Sequence, residues 1–399
     1  MKTQIVNTGY IKNVTGAGMT IGNTPDRGVM LIAGGPSSRP LWPGLAQQYD
    51  LAFLYPQAVQ QAREMGIGNC AALQEFLDGE AQERVQNLAT LLAARVVSNM
   101  ALMSVQFREA YGAVPAGAPE LLNGNLTDWW AGYCQRLFTT EIGILDALEQ
   151  LGSVRRVVGC LTHEDVAADT RAMVLWAKGR NVPTLHIPHA PCHLIGDIQD
   201  IHRETRAEWI AASGPVMREF YARAGHDDSK IVVTGAPQWD DLYSDIPSKA
   251  EAQRVLAVPE GKTVLCYMTT WGQTTSLRSE FVAEFERGFE AVLAAAKERS
   301  AFLMALIHWN DGRPDVEQGY KQRLEQAGVV GLATRQHKNY LLRAADCLIA
   351  QGPSNMCIEA AVLGTPSCYI QTADFDYATP LPFRGTSETI GARIDETLS

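Results

Sequence analysis

The 399-residue sequence contains no CxxC pair, no Gly-x-Gly-x-x-Gly after its first apolar run, no phosphate-binding P-loop and no Gly-x-Ser-x-Gly. Nicotinamide-linked redox chemistry, P-loop kinases and α/β-hydrolases therefore lose most of their support. Positive charge is in deficit: 34 Lys and Arg stand against 44 Asp and Glu, a net charge of −10 with no basic run or tail. A nucleic-acid partner held by an electrostatic patch is not expected. Long apolar runs are also missing. The most apolar long window, Leu88 to Val105, is interrupted by Arg95, Ser98 and Asn99, which reads as a buried amphipathic helix and not as a transmembrane segment. The opening MKTQIVNTGYIKNV lacks the apolar core of a signal peptide. The eight cysteines fall largely in apolar strand or helix patterns and read as reduced core residues. These absences together lead to the expectation of a cytoplasmic protein, brought to the inner membrane only by partners or substrate.

What is present is an alternation of short apolar runs with helical patterns. Apolar runs at 29–33, 51–55, 154–161, 183–187, 208–212 and 230–234 read as strands. Residues 71–151 are largely helical, with breaks near Gly112–Pro119 and Gly124. A polar segment with two prolines, near 245–262, reads as a domain junction. A second series follows, with strands at 263–268 and 302–307 and a strand–turn–helix–strand over 345–371. There is no internal repeat. This order predicts an α/β protein with two parallel sheets, each covered on both faces by helices, divided into domains at 1–245 and 246–399. Ligands in such sheets bind at the carboxyl ends of the strands.

The polar motifs fall at those ends. In AADCLIAQGPSNMCIEAAVLGTP a strand, a turn at Gly352-Pro353 and a helix opening at Ser354-Asn355 place a helix N-terminus where a phosphate would be favoured. Glu359, four residues after Asn355, shares its helix face and is placed to hold ribose hydroxyls. The loop Thr269–Gly272, with Thr270 and Trp271, could wrap a phosphate or be an ordinary turn. His308 ends a strand, where it either neutralises a phosphate or serves the structure. In the first half, Thr162-His163-Glu164-Asp165 ends a strand; His163 and Glu164 are catalytic candidates there, Glu164 as general acid or base, or Asp165 could simply cap the next helix with His163 solvated. Asp240 follows the turn Gly235-Ala236-Pro237 and could act as nucleophile or base, or bond its own turn. Gly34, Gly35, Ser38 and Arg39 form a possible anion site. His186, His189, Cys192 and His193 have a metal-like spacing, but their strand-and-loop context argues against zinc. The better reading packs His186 in the strand and turns His189 towards the ligand.

Taken together, the segment Val232–Leu242 (VVTGAPQWDDL), the run VPTLHIPHA and ADCLIAQGPSNMCIEAAVLGTP resemble the GT-B glycosyltransferase superfamily over roughly residues 29–371. The resemblance implies two Rossmann-like domains facing a central cleft. It is nearest to retaining β-Kdo transferases of lipopolysaccharide and capsule assembly, which use CMP-Kdo. It implies metal-independent transfer with no cofactor, from a CMP-sugar to a glycan or glycolipid acceptor. By motif position Asp240 is the nucleophile that forms a covalent adduct and Glu164 the acid/base. His308, followed by Trp309 where such enzymes carry proline, matches the phosphate-contacting histidine. A hydrolysing UDP-sugar 2-epimerase, a CDP-glycerol-type glycerophosphotransferase and a non-catalytic nucleotide-sugar binding module are the alternatives.

Overall fold

The computed structural model describes residues 27–35, 37–111, 124–165, 167–188, 205–240, 242, 246–269, 279–308, 314–334, 336–351, 354–370 and 384–399. The chain forms two compact units, the first ending at Pro237 and the second beginning at Gln238.

In the first unit the order is β1 (Val29–Ile32), α1 (Trp42–Gln48), β2 (Asp50–Phe53), α2 (Pro56–Glu64), β3 (Cys70–Ala72), α3 (Gly79–Tyr111), α4 (Gly124–Val154), β4 (Val157–Thr162), α5 (Ala168–Gly179), β5 (Thr184–His186), β6 (Trp209–Ala212), α6 (Pro215–Arg223) and β7 (Ile231–Val233). The strands make one sheet in the order β3-β2-β1-β4-β5-β6-β7, and every pairing is parallel. Strand β1 shows why both faces must be covered. Val29 and Leu31 point into a core with Ile144, Leu148 and Leu151 of α4 and Met173 of α5. Ile32, one register step away, points into the opposite core with Trp42, Phe53 and Val59. A period of two with apolar residues at both phases is the signature of a strand buried on both sides. The helical stretch read from the sequence is two long helices of 33 and 31 residues, α3 and α4. It begins later than expected, because Cys70–Ala72 is a strand and Leu73–Phe76 a 3-10 turn.

In the second unit the order is α7 (Lys249–Val255), β8 (Val264–Met268), α8 (Ser279–Glu298), β9 (Phe302–Leu306), α9 (Pro314–Ala327), β10 (Gly331–Thr334), α10 (Lys338–Ala344), β11 (Cys347–Gln351), α11 (Asn355–Val362), β12 (Ser367–Ile370), β13 (Arg384–Gly385) and α12 (Ile390–Leu398). Its sheet runs β10-β9-β8-β11-β12-β13, again all parallel. Leu265, Tyr267 and Ile349 face α8 through Phe289 and Val292. Val264, Cys266 and Leu348 face α10 and α11 through Leu341, Leu342 and Ala360.

Each sheet reverses its winding once. In the first, the chain steps outward from β1 to β3, then returns to the other side of β1 with β4. In the second it steps from β8 to β10 and returns beside β8 with β11. The crevices outside β1/β4 and β8/β11 are thus the places where loops diverge and ligands are received in open α/β sheets.

Candidate functional sites at the two switch points

At the β8/β11 crevice the strand ends are laced together by buried polar groups. Thr269, fully buried directly after β8, donates its amide to the Leu306 carbonyl at 3.0 Å. Its Oγ1 accepts from the His308 amide at 2.8 Å. His308 is therefore set by its backbone at the end of β9, half-buried. At the end of β11 the buried Gln351 accepts from Tyr267 Oη at 2.7 Å and donates to the Glu284 carbonyl at 3.3 Å. Helix α8 approaches so closely that a Cβ on Gly288 would lie 2.5 Å from Gln351 Oε1. Gln351 thus ties the end of β11 to β8 and to α8. Gly352, Thr270 and Trp271 lie outside the described residues.

Ser354 caps α11. Its Oγ accepts from the Met356 amide at 3.2 Å and lies 3.6 Å from Met268 Sδ, which joins the helix start to the end of β8. The Cys357 amide bonds the Ser354 carbonyl at 3.0 Å. Ser354, expected to hold a phosphate, accepts from the Met356 amide in the cap and directs its O–H at Met268 Sδ; what remains for an anion is the positive end of the helix and the rest of its first turn. Asn355 is the first helical residue, half-exposed beside that end. Glu359, expected to meet ribose, is buried, and its Oε2 lies 2.6 Å from Lys338 Nζ at the start of α10. Lys338 was not visible as a site residue in the sequence, because it is two elements away from Glu359 in the chain.

At the β1/β4 crevice the glycines are decisive. Gly34 and Gly35 have φ of +96° and +95°. A Cβ on Gly35 would sit 2.6 Å from His163 Cγ, so the absence of a side chain is what admits the imidazole. Gly34 packs against Tyr55, whose hydroxyl donates to Asp169 Oδ2 at 2.6 Å. Burial, with the charge of Asp169 beside it, pushes the Glu141 carboxyl up to about 7. Tyr55, Glu141 and Asp169 are polar groups that sequence reasoning missed. Only Asp169, in the first turn of a helix after a strand, carried any signal.

The remaining expectations divide. Thr162 Oγ1 donates to the Glu164 carbonyl at 2.6 Å and accepts from the Glu164 amide at 3.3 Å, which turns the half-buried Glu164 at the end of β4. Asp165 does not cap α5: its buried carboxylate accepts from Thr205 Oγ1 at 2.9 Å and from the amides of Arg206 and Ala207, fixing the entry to β6. Ser38 is buried, with its hydroxyl directed at the carbonyls of Gly34 and Gly35 and accepting from Trp42 Nε1 at 3.2 Å, so it shapes the loop. Arg39 is exposed. His186 packs in its strand with Nε2 3.2 Å from Tyr221 Oη. His189, Cys192 and His193 lie outside the described residues. Asp240 is exposed at the end of the turn Pro237–Trp239, and among the described residues nothing holds its carboxylate. Among the described residues, no three His, Cys, Asp or Glu side chains are grouped to hold a metal ion, and no helix is long and apolar enough to cross a membrane.

Comparison with known proteins places the fold. A family described as CDP-Glycerol:Poly(glycerophosphate) glycerophosphotransferase matches residues 194–369. No curated protein sequence matches the chain significantly. Among solved structures, UDP-GlcNAc 2-epimerase from Neisseria meningitidis bound to UDP-GlcNAc is similar with a TM-score of 0.56 at 12% identity, over 93% of this chain and 91% of that one. The S. aureus MnaA–UDP co-structure gives 0.55 at 12% identity, over 94% and 88%. UDP-GlcNAc 2-epimerase from Methanocaldococcus jannaschii gives 0.51 at 10%, over 94% and 93%. At these identities the likeness is one of fold: a GT-B-like pair of parallel α/β units. The expected specificity for CMP-Kdo finds no support in these matches; the glycerophosphotransferase alternative does.

Proposed function

We propose that this chain is a transferase acting on a CDP-activated polyol phosphate, of the CDP-glycerol type, and that it forms a phosphodiester on a hydroxyl acceptor. The observation that carries the reading is the family match over residues 194–369, which takes in β8, β9, His308 and the whole strand–cap–helix segment of α11. In this reaction the acceptor oxygen attacks the phosphorus that bears the polyol. A new P–O bond forms, the bond from that phosphorus to the bridging oxygen breaks, and CMP leaves with the electron pair. His308 and the N-terminus of α11 hold the diphosphate and stabilise the charge that builds on the leaving oxygen. Glu359 meets the ribose. Such a transfer asks for no covalent adduct on Asp240, which fits a carboxylate that is exposed.

The test is a binding panel of CDP, CMP, UDP and ADP followed by turnover. A ligand present at 100 times its Kd stabilises the native state by about 2.7 kcal/mol, a shift readily seen by thermal melting. Selective stabilisation by CDP, with acceptor-dependent release of CMP from CDP-glycerol, is the expected result. Selective stabilisation by UDP, with release of a free epimerised sugar, would replace this reading with the epimerase alternative.

A further inference from the structure

Glu359 presents a problem for any anionic ligand at the start of α11. It lies on the helix whose positive end receives the diphosphate, and it is 8% exposed. A buried carboxylate there would repel a diphosphate through a medium that screens poorly. The molecule places one cation against it. Lys338 is the first residue of α10, reached through His337, which adopts a left-handed conformation at φ +59° to turn the chain out of β10. The Lys338 side chain is 45% exposed and that of Glu359 10%, with Nζ 2.6 Å from Oε2. The cation therefore reaches in from the solvent side, and among the described residues it is the one ion-pair partner of Glu359.

We propose that Lys338 is a positioning residue of the donor site: it neutralises and orients Glu359, so that α11 can accept a nucleoside diphosphate beside a buried carboxylate. This rests on the reading of α11 as the donor helix. Lys338 meets Oε2 as an ion pair at 2.6 Å without hydrogen-bond alignment, and the other carboxylate oxygen is left for a sugar hydroxyl. An ordinary surface ion pair has no such consequence, because water screens both partners; here one partner is buried, and removing the other leaves an uncompensated charge.

The test is a double-mutant cycle on nucleotide affinity, read by calorimetry with CDP, UDP and ADP on the full chain. Lys338→Met should weaken binding of the preferred diphosphate by about tenfold or more. Lys338→Arg, which keeps the charge, should stay within about threefold. Glu359→Gln should lose less than Lys338→Met, and adding Glu359→Gln to Lys338→Met should recover most of the loss, because the repelling charge is gone. Thermal melts of the same four variants report whether each is folded. If Lys338→Met lowers only the melting temperature and leaves affinity unchanged, or if the double variant binds no better than Lys338→Met, the proposal is overturned. A preference for UDP over CDP would overturn the glycerophosphotransferase reading while the cycle still decides the role of Lys338. Failure of the wild type to bind any of the three overturns both.

Discussion

Replacing Gly35 by alanine should damage the first unit more than the same change at its neighbour Gly34, and the difference can be worked out from geometry. Both residues have nearly the same positive φ, +95° and +96°, so both variants carry the backbone strain of an L-residue in that region, about 1–2 kcal/mol. They differ in what the new methyl meets. At Gly34 the nearest atoms are 3.5 Å and 3.7 Å away, on Ala58 and Tyr55, which is ordinary contact. At Gly35 three atoms of the His163 ring lie within 2.6–2.8 Å. That ring is attached close to the backbone and cannot swing clear as a long side chain would, so an overpacking cost of about 1–3 kcal/mol is added. Gly34→Ala should therefore cost about 1–2 kcal/mol and Gly35→Ala about 2–5 kcal/mol. Hydrogen exchange in graded urea, followed on peptides from β1 and β4, reads the first unit without interference from the second. Adding His163→Ala should recover the steric part at Gly35 and nothing at Gly34, a coupling of about 1–3 kcal/mol. Equal costs at the two glycines, or a coupling near zero, would refute the claim that Gly35 exists to seat His163.

Asp165→Ala removes the acceptor for Thr205 Oγ1 and for the amides of Arg206 and Ala207. Leaving buried donors without partners should cost about 2–4 kcal/mol, visible as a lower melting temperature and faster exchange in β6; wild-type stability would show that these bonds are idle. Glu141 has a folded carboxyl value of about 7 against an ordinary 4.5. The folded state thus binds more protons between those values, and its contribution is complete below pH 4.5 and lost as pH rises through 7. Glu141→Gln should flatten that slope and raise stability above pH 7 by about 1 kcal/mol, discounted for partial solvent exposure; an unchanged pH profile would count against it. Burial pushes the thiols of Cys160 and Cys266 up to about 12 and that of Cys357 to about 11. Peptide mapping after iodoacetamide at pH 8 should find these three unmodified until denaturant is added. Asp240→Asn should retain most turnover if phosphoryl transfer is the reaction; near-total loss, with a sugar adduct on the wild-type Asp240 peptide, would restore the covalent mechanism.

The fold was legible because parallel strands covered on both faces are written as short, almost wholly apolar runs. VMLI, VLCYM and CLIAQ each carry apolar residues at both phases of the pleat, so their order and spacing give the architecture. Where the run was three small residues, as in CAA of β3, there was no alternation to see, and the segment merged with the helical pattern that follows. The placement of the candidate residues was legible for a related reason: a polar cluster directly after an apolar run must lie at a strand's carboxyl end. What was not legible was partner choice. A buried Asp needs donors, and the sequence offers a helix N-terminus two residues after Asp165, yet the carboxylate serves amides 41 and 42 residues away. A serine before a helix in a glycine-rich turn suggests an anion, yet Ser38 turns inwards to Trp42. Lys338 and Glu359 lie on different helices, and their pairing exists only once β11 is threaded between them. Polarity in a sequence thus marks which residues must be satisfied, while topology decides which are consumed by the scaffold. At β8/β11 the scaffold consumes Thr269, Gln351 and Ser354. In the proposed reading, recognition of a donor falls to the helix end and to a carboxylate whose charge is balanced by Lys338, so that a diphosphate would enter without first displacing a structural bond.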